Sequence, residues 1–235
     1  MHPAPAETDL VELVIPCLNE EVALPALLAG VPVGWAVIVV DNGSRDNTAG
    51  VARRAGATVV HEPQPGYGAA VHRGLCAATR DIVVVLDGDG SIRPGDLTPM
   101  VDEVIAGRAD LCCGTRQPVA RSAWPVHARW GNRVLAATLS LALGMQLHDI
   151  APVRVARRAA LLDLGVADRR FGYPLETLLR ARAAGWVISE HPIPYHPRNG
   201  GQSKVTGSIR GTIRALRDFA GVLVANRRLV GTWTS

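Results

Sequence analysis

Short apolar runs alternate with amphipathic segments along the first half of the chain. The run Ile82–Asp87 (IVVVLD) is the clearest strand, because it is β-branched and almost uninterrupted. Further strands are predicted at Leu10–Pro16, Trp35–Asp41, Thr58–His61 and Ala109–Gly114. Helices are predicted between these strands, at about residues 20–29, 46–55, 68–79 and 94–106. This alternation favours an α/β fold with a mostly parallel sheet and helices on both faces.

The pattern loosens after Gly114, where residues 115–125 and the polar, glycine-rich residues 195–207 are predicted to form loops. Later elements are predicted as helices at Arg129–Leu143 and Pro174–Ala184, a strand at Trp186–Pro194 and a last helix over about residues 208–228. That last helix carries Ile209, Ile213, Leu216, Ala220 and Leu223 on one face and Arg210, Arg214 and Arg217 on another. Such a basic amphipathic helix is typical of an anionic membrane interface, or of packing on the domain with solvated arginines.

Composition and charge limit the class of protein. The chain has 235 residues, 48% hydrophobic and 20% charged, which indicates a single globular domain over residues 1–235. Its net charge of +4 is too small for a general nucleic-acid binder. Residues 1–110 hold seven arginines and 15 carboxylates, hence −8, whereas residues 111–235 hold 18 basic and six acidic side chains, hence +12. This division predicts an acidic half that holds a metal ion and a basic half that meets phosphate or an anionic surface.

The sequence also indicates the compartment. No apolar run reaches the roughly 18–20 residues that span a bilayer, and the N-terminus, MHPAPAETDL, lacks the features of a signal peptide. The four cysteines form no CxxC pair, which indicates reduced thiols rather than disulfides or a zinc site. A cytoplasmic protein is therefore expected.

Two carboxylates, Asp87 and Asp89, follow the clearest strand in the sequence DGDG. Gly88 and Gly90 permit a tight turn in which carboxylates two residues apart can share one divalent ion. Hard oxygen ligands suit Mg²⁺ or Mn²⁺. The alternative is an ordinary Asp-Gly turn, in which the carboxylate accepts backbone hydrogen bonds. The position after a buried parallel strand favours the metal site, because ligands bind at that edge of the sheet.

Three other segments are predicted to lie at the same edge. Asp41 ends a strand, where its carboxylate can accept hydrogen bonds from a base or a ribose. Asn19 is interpreted either as a helix N-cap or as a nucleotide contact, and Glu20 either as a favourable helix-dipole charge or as another such contact. The segment Gly66-Tyr67-Gly68 opens a helix, where glycines let the backbone approach a ligand. It is not a GxGxxG after the first strand, so a dinucleotide oxidoreductase is weakly supported.

Four segments, VIPCLNEE, VVDNGSRDNT, GYGAAVHRGL and VVVLDGDG, occur in this order. Together they resemble the nucleotide-binding half of family 2 glycosyltransferases, which have the Rossmann-like GT-A fold. The later segments LHDIAPVRVARRAAL, GYPLETLLRARAAGWVISEHPIPYHPR and GGQSKVTGSIRGT resemble the polyprenyl-phosphate sugar transferases of the dolichol-phosphate mannose synthase-like branch. The resemblance covers about residues 10–215. It implies a nucleotide and metal half over about 10–115, an acceptor half over about 116–207 and a C-terminal helix over about 208–228.

The resemblance implies an inverting, metal-dependent transfer of a hexose from a nucleotide-diphosphate sugar, of the GDP-mannose or UDP-glucose type, to a polyprenyl phosphate. Asp87 and Asp89 match the family's metal-binding DxD, and Asp89 and Arg198 are implied to be catalytic. The implied nucleotide-sugar contacts are Pro16, Asn19, Glu20, Asp41, Gly66, Tyr67, Gly68, Asp87, Arg198, Ser203 and Lys204. A metal and cationic side chains would neutralise the charge that builds on the leaving diphosphate.

The acceptor side is implied by arginines. Arg116, Arg129 and Arg133 match positions where the family keeps basic residues for the acceptor phosphate, and the alternative for each is a solvated surface arginine. A phosphate acceptor needs no catalytic base, whereas a hydroxyl acceptor needs a carboxylate, for which Asp149 and Glu176 are the candidates. The alternative is that Asp149 is a turn residue and Glu176 a carboxylate favoured by a helix N-terminus.

Two features depart from the family pattern. Ser91 stands where some relatives have a metal-binding glutamine, and the C-terminal transmembrane helices of many relatives are not in this sequence. Transfer to a soluble hydroxyl acceptor is therefore an alternative, as are a nucleotide-sugar-binding protein without turnover and a nucleotidyltransferase. With a lipid acceptor, the protein is expected to make peripheral contact with the inner face of the plasma membrane.

Overall fold

The computed structural model describes residues 10–120, 152–198 and 209–226, although not the side chains of residues 209–216. Between residues 120 and 152 it describes positions 123, 124, 129, 132, 133, 136, 137, 140, 144 and 146–150. Within these ranges no helix is long and apolar enough to cross a bilayer. All four cysteines lie in these ranges, and each is a thiol.

Seven strands form one sheet, and seven α-helices have described bounds. The strands are Val11–Cys17 (β1), Ala36–Asp41 (β2), Thr58–His61 (β3), Ile82–Leu86 (β4), Leu111–Pro118 (β5), Val153–Arg157 (β6) and Ile188–Tyr195 (β7). The helices are Leu24–Ala29 (α1), Thr48–Arg54 (α2), Tyr67–Ala77 (α3), Thr98–Ile105 (α4), Arg158–Asp163 (α5), Tyr173–Ala183 (α6) and Ile209–Ala225 (α7). Within the helix predicted over 129–143, the structure describes positions 129, 132, 133, 136, 137 and 140, and all six are helical.

The strand order is β3-β2-β1-β4-β6-β5-β7. Every neighbouring pair is parallel except the two that β6 makes, because β6 runs antiparallel to both β4 and β5. The prediction of a mostly parallel sheet is therefore confirmed. The sequence prediction missed β6 itself, because two arginines interrupt the apolar run in its sequence VRVAR.

Helices cover both faces of the sheet, as predicted, because the side chains of each strand alternate between two cores. In β4, Ile82 and Val84 face the core that α1, α2 and α4 cover. Val83 and Val85 face the core that α3, α5, α6 and α7 cover. The uninterrupted IVVVL pattern thus reflects a strand that is buried on both sides.

One boundary in the second half differs clearly from the prediction. β5 does not end at Gly114 but continues to Pro118, so the loop predicted from residue 115 is wrong over its first four residues. The reason is that Thr115–Pro118 pairs in parallel register with Pro192–Tyr195 of β7. This pairing joins segments about 77 residues apart, and the local polar pattern TRQP does not contain it.

The carboxyl ends of β1, β2 and β4 lie side by side, because these three strands are parallel neighbours. Cys17 at the end of β1 is in register with Asp41 at the end of β2, and Asp87 directly follows β4. This is the edge at which parallel α/β sheets bind their ligands. The sequence-based placement of Asp41 and Asp87 at one edge is therefore confirmed.

Candidate active site

Two loops at this edge, one after β1 and one after β2, are bonded to each other through Asn19. Its φ angle is +57°, in the left-handed region that asparagine enters more readily than most residues. Its N–H donates to Ser44 Oγ at 2.9 Å, and its Oδ1 accepts the Arg45 amide at 2.7 Å. Since α1 begins only at Leu24, the N-cap interpretation of Asn19 is wrong.

Glu20 and Gly88 join this corner to the carboxylate loop. The Glu20 amide donates to Thr48 Oγ1 at 2.8 Å. A Cβ atom at Gly88 would lie 2.6 Å from the Sγ of Cys17 and 3.6 Å from the Cγ of Glu20. Gly88 is therefore a glycine because the end of β1 packs directly on it, whereas Gly90 has the positive φ, +71°, expected for a tight turn.

Asp41 has a structural contact that the sequence did not indicate. Its Oδ1 accepts the Ser44 amide at 3.0 Å, and its Oδ2 lies 3.6 Å from Nδ1 of the exposed His61. The carboxylate is 14% exposed, so part of it remains open to a ligand. The β1 and β2 ends thus hold several predicted nucleotide contacts in one corner, namely Pro16, Asn19, Glu20 and Asp41, and their contact with a nucleotide stays a prediction.

Asp87 and Asp89 form a pair of like charges, of which Asp89 is buried and Asp87 partly buried. Asp89 is 3% exposed, its Oδ1 accepts the Ser91 amide at 2.9 Å, and its Oδ2 lies 2.8 Å from Nη2 of Arg198. Tyr67, the first residue of α3, lines a small cavity together with Val85 of β4, two residues before Asp87, and its contact with a nucleotide stays a prediction. Burial, followed by the neighbouring Asp89 carboxylate, raises the pKa of Asp87 to about 6. Arg198, far along the chain, is therefore brought to the DGDG loop, and its contact with donor phosphates stays a prediction.

This donor set fits a divalent ion. A cation between Asp87 and Asp89 would relieve their repulsion, and both carboxylates present hard oxygen atoms. Within the described residues no cluster of three or more His, Cys, Asp or Glu side chains could hold a metal. Mg²⁺ is commonly held by one or two carboxylates together with water and substrate phosphates. Metal binding by these two residues stays a prediction.

Gly66 and Gly68 open α3 as predicted, but their surfaces face the chain itself. A Cβ atom at Gly66 would lie 2.2 Å from the carbonyl oxygen of Arg169, and one at Gly68 would lie 2.8 Å from the Cβ of Tyr173. The Gly68 amide also donates to the Arg170 carbonyl at 3.0 Å. Close packing against residues 169–173 therefore accounts for both glycines, and a ligand contact by them stays a prediction.

A cavity of about 460 Å³ opens beside β5. The three predicted acceptor residues, Arg116, Arg129 and Arg133, all line it, so the structure brings them together. The rest of the wall is formed by Thr115, Gln117, Pro118, Trp124, Asn132, Ala136, Ala137, Leu147, His148 and Asp149. Cationic and apolar side chains thus share one cavity, which suits an anionic group attached to an apolar chain.

An ion pair between the partly buried Arg116 and the buried Asp149 belongs to this wall. Nε and Nη2 of Arg116 donate to the two carboxylate oxygens at 2.8 and 2.5 Å, and Nη2 also donates to Asn132 Oδ1 at 3.1 Å. The guanidinium carbon lies 3.9 Å from the centroid of the Trp124 ring, a cation–π distance. The Arg116 guanidinium is therefore fixed by hydrogen bonds along its edge and by the Trp124 ring against its face.

The two candidate catalytic bases differ in position. Asp149 lines the cavity beside β5, whereas Glu176 is not in its wall. Glu176 is buried in α6, where Oε2 accepts the amides of Ala167 and Asp168 at 3.1 and 2.7 Å. Its Oε1 accepts Nε of Arg180 at 2.7 Å. Both carboxylates thus have structural partners, and a catalytic role for either stays a prediction.

Some residues near the site were not predicted from the sequence, and two predicted residues lie outside the described part of the chain. Ser203 and Lys204 lie outside the described residues. Trp124 and Asn132 hold Arg116 but were not predicted, since they contact it only through the tertiary fold. Arg154 on β6 is 4% exposed, and an arginine inside the apolar run VRVA was the sequence feature that could have identified it.

Comparison with known proteins agrees with this architecture. Residues 12–165 match the model of the family described as glycosyl transferase family 2. The chain is 57% identical over 215 residues to an uncharacterized glycosyltransferase of Mycobacterium tuberculosis, which covers 92% of this chain and 98% of that protein. It is 33% identical over 196 residues to a dolichyl-phosphate hexose transferase of Haloferax volcanii, which covers 82% of this chain and 85% of that protein.

A solved structure shares the fold. Glucosyl-3-phosphoglycerate synthase from Mycobacterium tuberculosis, crystallised with Mg²⁺ and uridine diphosphate, has a TM-score of 0.73 against this chain at 21% identity. The match covers 96% of this chain and 84% of that one. The fold and the carboxylate edge thus define a glycosyltransferase with the GT-A fold. The chain belongs to glycosyl transferase family 2, which confirms the resemblance of its ordered motifs.

Proposed function

We propose that this glycosyltransferase transfers a hexose from a nucleotide-diphosphate sugar to a polyprenyl phosphate. The observation that carries the proposal is the closeness of the acceptor cavity to the carboxylate pair. The guanidinium carbon of Arg116, which lines that cavity, lies 5.6 Å from the centroid of the Tyr195 ring. The next residue, His196, donates its amide to the carbonyl of Ser91 at 2.8 Å, two residues after Asp89. A phosphate bound among the arginines would therefore lie beside a donor diphosphate held at the carboxylates. The apolar part of the wall suits the start of an isoprenoid chain.

The proposed reaction is a single displacement. An oxygen of the acceptor phosphate attacks the anomeric carbon of the sugar, and the bond from that carbon to the nucleotide diphosphate breaks. Attack opposite the leaving group inverts the anomeric configuration. A phosphate is already ionised near neutral pH, so no general base is required. Under this mechanism Asp149 acts by holding Arg116 in place rather than by removing a proton.

Charge on the leaving diphosphate is the main electrostatic demand of this reaction. Asp87 and Asp89 would hold Mg²⁺ or Mn²⁺, which when bound acts as a Lewis acid on the donor phosphates. Arg198 already lies 2.8 Å from Asp89, with its side chain 32% exposed, and is placed to neutralise part of the developing charge.

The acceptor class has separate support from the relative named dolichyl-phosphate hexose transferase, which is 33% identical to this chain. A lipid acceptor requires the protein to work at a membrane surface. In α7, Arg217 and Val224 are both exposed, Val224 by 67%, so a basic and an apolar side chain are available there for an anionic interface. We therefore place the protein peripherally at the cytoplasmic face of the membrane as part of this proposal.

The proposal is tested by a transfer assay with labelled GDP-mannose or UDP-glucose, a polyprenyl phosphate and Mn²⁺, followed by extraction into organic solvent. Label is expected in the organic phase, and EDTA is expected to abolish its transfer. A labelled product that stays in the aqueous phase when a soluble acceptor is supplied would contradict the lipid acceptor. Tight donor binding without any product would favour a binding protein, and release of pyrophosphate from a nucleoside triphosphate would favour a nucleotidyltransferase.

A further inference from the structure

His148 lies in the wall of the cavity beside β5 and has no part in the mechanism proposed above. Its side chain is 71% exposed, which places it at the open side of that cavity. An exposed side chain changes rotamer freely unless a second group holds it. The structure provides such a group in Glu190 of β7, whose carboxylate side chain is only 15% exposed.

Glu190 holds both the backbone and the ring of His148. The His148 amide donates to Oε1 and Oε2 of Glu190 at 3.0 and 3.3 Å, and the ring Nδ1 lies 2.5 Å from Oε2. An ionised carboxylate only accepts hydrogen bonds, so Nδ1 carries the proton in this contact. The orientation and the tautomer of the ring are thereby fixed, and Nε2 is the ring nitrogen left to bond a ligand.

The next residue along the chain takes part in a similar arrangement on the same wall. Asp149 holds the guanidinium of Arg116 as Glu190 holds the ring of His148. Both of the held groups line the same cavity as the two other predicted acceptor arginines. Three arginines and one histidine therefore share this wall. Such a set of nitrogen donors suits a group with several anionic oxygen atoms, as a phosphate has.

We propose that His148 is a further acceptor-binding residue: its Nε2–H donates to a phosphate oxygen of the acceptor, and Glu190 positions the ring for this bond. The inference deepens the proposed function and rests on it. Because Nδ1 already carries a proton, Nε2 donates only after the ring has taken up a second proton from solvent. The resulting imidazolium has a carboxylate on one side and the phosphate on the other, and both negative groups favour its charge.

A neutral ring would act differently on its ligand. Its Nε2 would present a lone pair, which accepts the proton of a hydroxyl group, as a general base does. The three arginines of the same wall favour the phosphate, because a neutral hydroxyl group gains no charge-assisted hydrogen bond from a cation through its own charge. The two ligands leave Nε2 in different protonation states, so an experiment can separate them.

Two conservative variants test the ring and its support. His148→Gln removes the imidazole, and Glu190→Gln weakens the hold on the ring while it keeps the length of the side chain. The matched control is His191→Gln, because His191 also lies near a glutamate, with Nδ1 4.0 Å from Oε2 of Glu103. Consecutive strand residues face opposite sides of a sheet, and His191 is not in the cavity wall.

The first measurement is the transfer rate, with the polyprenyl phosphate and the sugar donor varied separately and Tm recorded for each variant. His148→Gln is expected to raise the KM for the polyprenyl phosphate about fivefold, and Glu190→Gln about two- to threefold, through a weakened hydrogen bond. The KM for the donor is expected to stay within about twofold of the wild-type value in both. His191→Gln is expected to change neither KM.

The second measurement follows binding directly, by nitrogen-15 NMR of the histidine rings. The signals of His148 are those missing from the spectrum of His148→Gln. Farnesyl phosphate is expected to shift the Nε2 signal of His148 to that of a protonated nitrogen. Farnesol, which has the same chain without the phosphate, is expected to leave this signal unchanged.

Three results would overturn the inference alone while wild-type protein binds farnesyl phosphate. The first is an unchanged acceptor KM in His148→Gln, and the second is an equal rise of both KM values, which would indicate a general effect on the site. The third is the same Nε2 shift with farnesol, which would indicate contact with the chain. If wild-type protein neither binds farnesyl phosphate nor transfers hexose to a polyprenyl phosphate, the acceptor class in the proposed function fails, and this inference fails with it.

Discussion

The two charged regions of the active site differ in how their ionised side chains are paired. At the DGDG loop, Asp87 and Asp89 carry the same sign, and burial with this repulsion raises the pKa of Asp87 to about 6. In the acceptor cavity, Arg116 and Asp149 carry opposite signs and share three hydrogen bonds of 2.5–3.0 Å. The first arrangement costs folding free energy, whereas the second holds one guanidinium in a defined place.

This difference helps to tell binding groups from supporting groups. A like-charge pair in a buried loop persists in a protein where a ligand of opposite charge is to be bound. An ion pair with further hydrogen bonds already has its partners, and its benefit lies in geometry. We therefore expect Asp87→Asn and Asp149→Asn to change the stability of the fold in opposite directions.

The largest expected effect is on activity at the carboxylate pair. Asp89→Ala removes a predicted metal ligand and the partner of Arg198, and it should lower hexose transfer by about 10³-fold or more. The measurement is transfer rate at saturating donor, with Mn²⁺-dependent nucleotide binding beside it. Asp102→Ala, on an exposed position of α4, serves as the control and should retain activity. Full activity in Asp89→Ala would contradict the proposed metal-dependent mechanism.

The second effect is on stability in the acceptor cavity. Asp149→Asn leaves the Arg116 charge buried without its counter-ion, which should cost about 3 kcal/mol and lower Tm by roughly 5–10 °C. The matched control is Asp81→Asn, which breaks the pair with Arg157, where both side chains are about half exposed, 46% and 49%. An exposed pair should contribute less than about 1 kcal/mol. Equal shifts of Tm in thermal unfolding of the two variants would contradict the comparison.

The third effect concerns the acceptor arginines. Arg133→Gln removes a cation from the cavity wall, and the loss of one charge-assisted hydrogen bond to phosphate should raise the KM for the polyprenyl phosphate about 10-fold. The KM for the donor should stay within about twofold of the wild-type value. Arg53→Gln on α2, also an exposed arginine, is the control. A change in donor KM instead of acceptor KM would assign Arg133 to the other half of the site.

The smallest expected effect is on stability at the carboxylate pair. It is opposite in sign to the effect of Asp149→Asn. The pKa of Asp87 is about 6 in the folded protein against an ordinary value of 3.8, so the folded state binds more protons than the unfolded state between these pH values. Stability from this group therefore falls as the pH rises from about 4 to 6. At pH 7.5 in EDTA, Asp87→Asn should raise Tm by about 2–4 °C, which corresponds to about 1 kcal/mol of stability. At pH 4 the same variant should leave Tm unchanged.

A metal titration completes this last prediction. Mn²⁺ with nucleotide should raise the Tm of wild-type protein and leave that of Asp87→Asn unchanged, because stabilisation follows binding to the folded state. A lower Tm of Asp87→Asn at pH 7.5 would show that the Asp87 carboxylate stabilises the fold. It would contradict the interpretation that the repulsion between Asp87 and Asp89 destabilises the metal-free protein.

Much of the fold could be predicted because its signals are local. The strands β1 to β4 are apolar runs of four to seven residues, and each helix between them has its own amphipathic pattern. The exception is β6, whose buried Arg154 sits where a local pattern predicts a polar surface. The extension of β5 to Pro118 was missed for a related reason, since its hydrogen-bonding partner lies in β7.

The candidate site divides in the same way. The position of Asp87 and Asp89 at the sheet edge followed from the sequence, because a strand and the residues after it are consecutive. The partners of the predicted bases did not, since Glu176 accepts amides eight and nine residues away and Asp149 bonds an arginine 33 residues away. Both carboxylates were predicted as bases because a sequence shows the ionisable group and not what neutralises it.

By itself, the sequence determined the order of strands and helices as far as β5, the carboxylates that end β2 and follow β4, and the family, through motifs that are each contiguous in the chain. Only the tertiary structure decided that β6 runs antiparallel between β4 and β5, that three arginines line one cavity, and that Asp149 pairs with Arg116. The physical reason is the separation along the chain over which each effect acts. Periodicity and turn chemistry act over a few residues, whereas burial, ion pairing and the direction of a hydrogen bond depend on groups that only folding brings together.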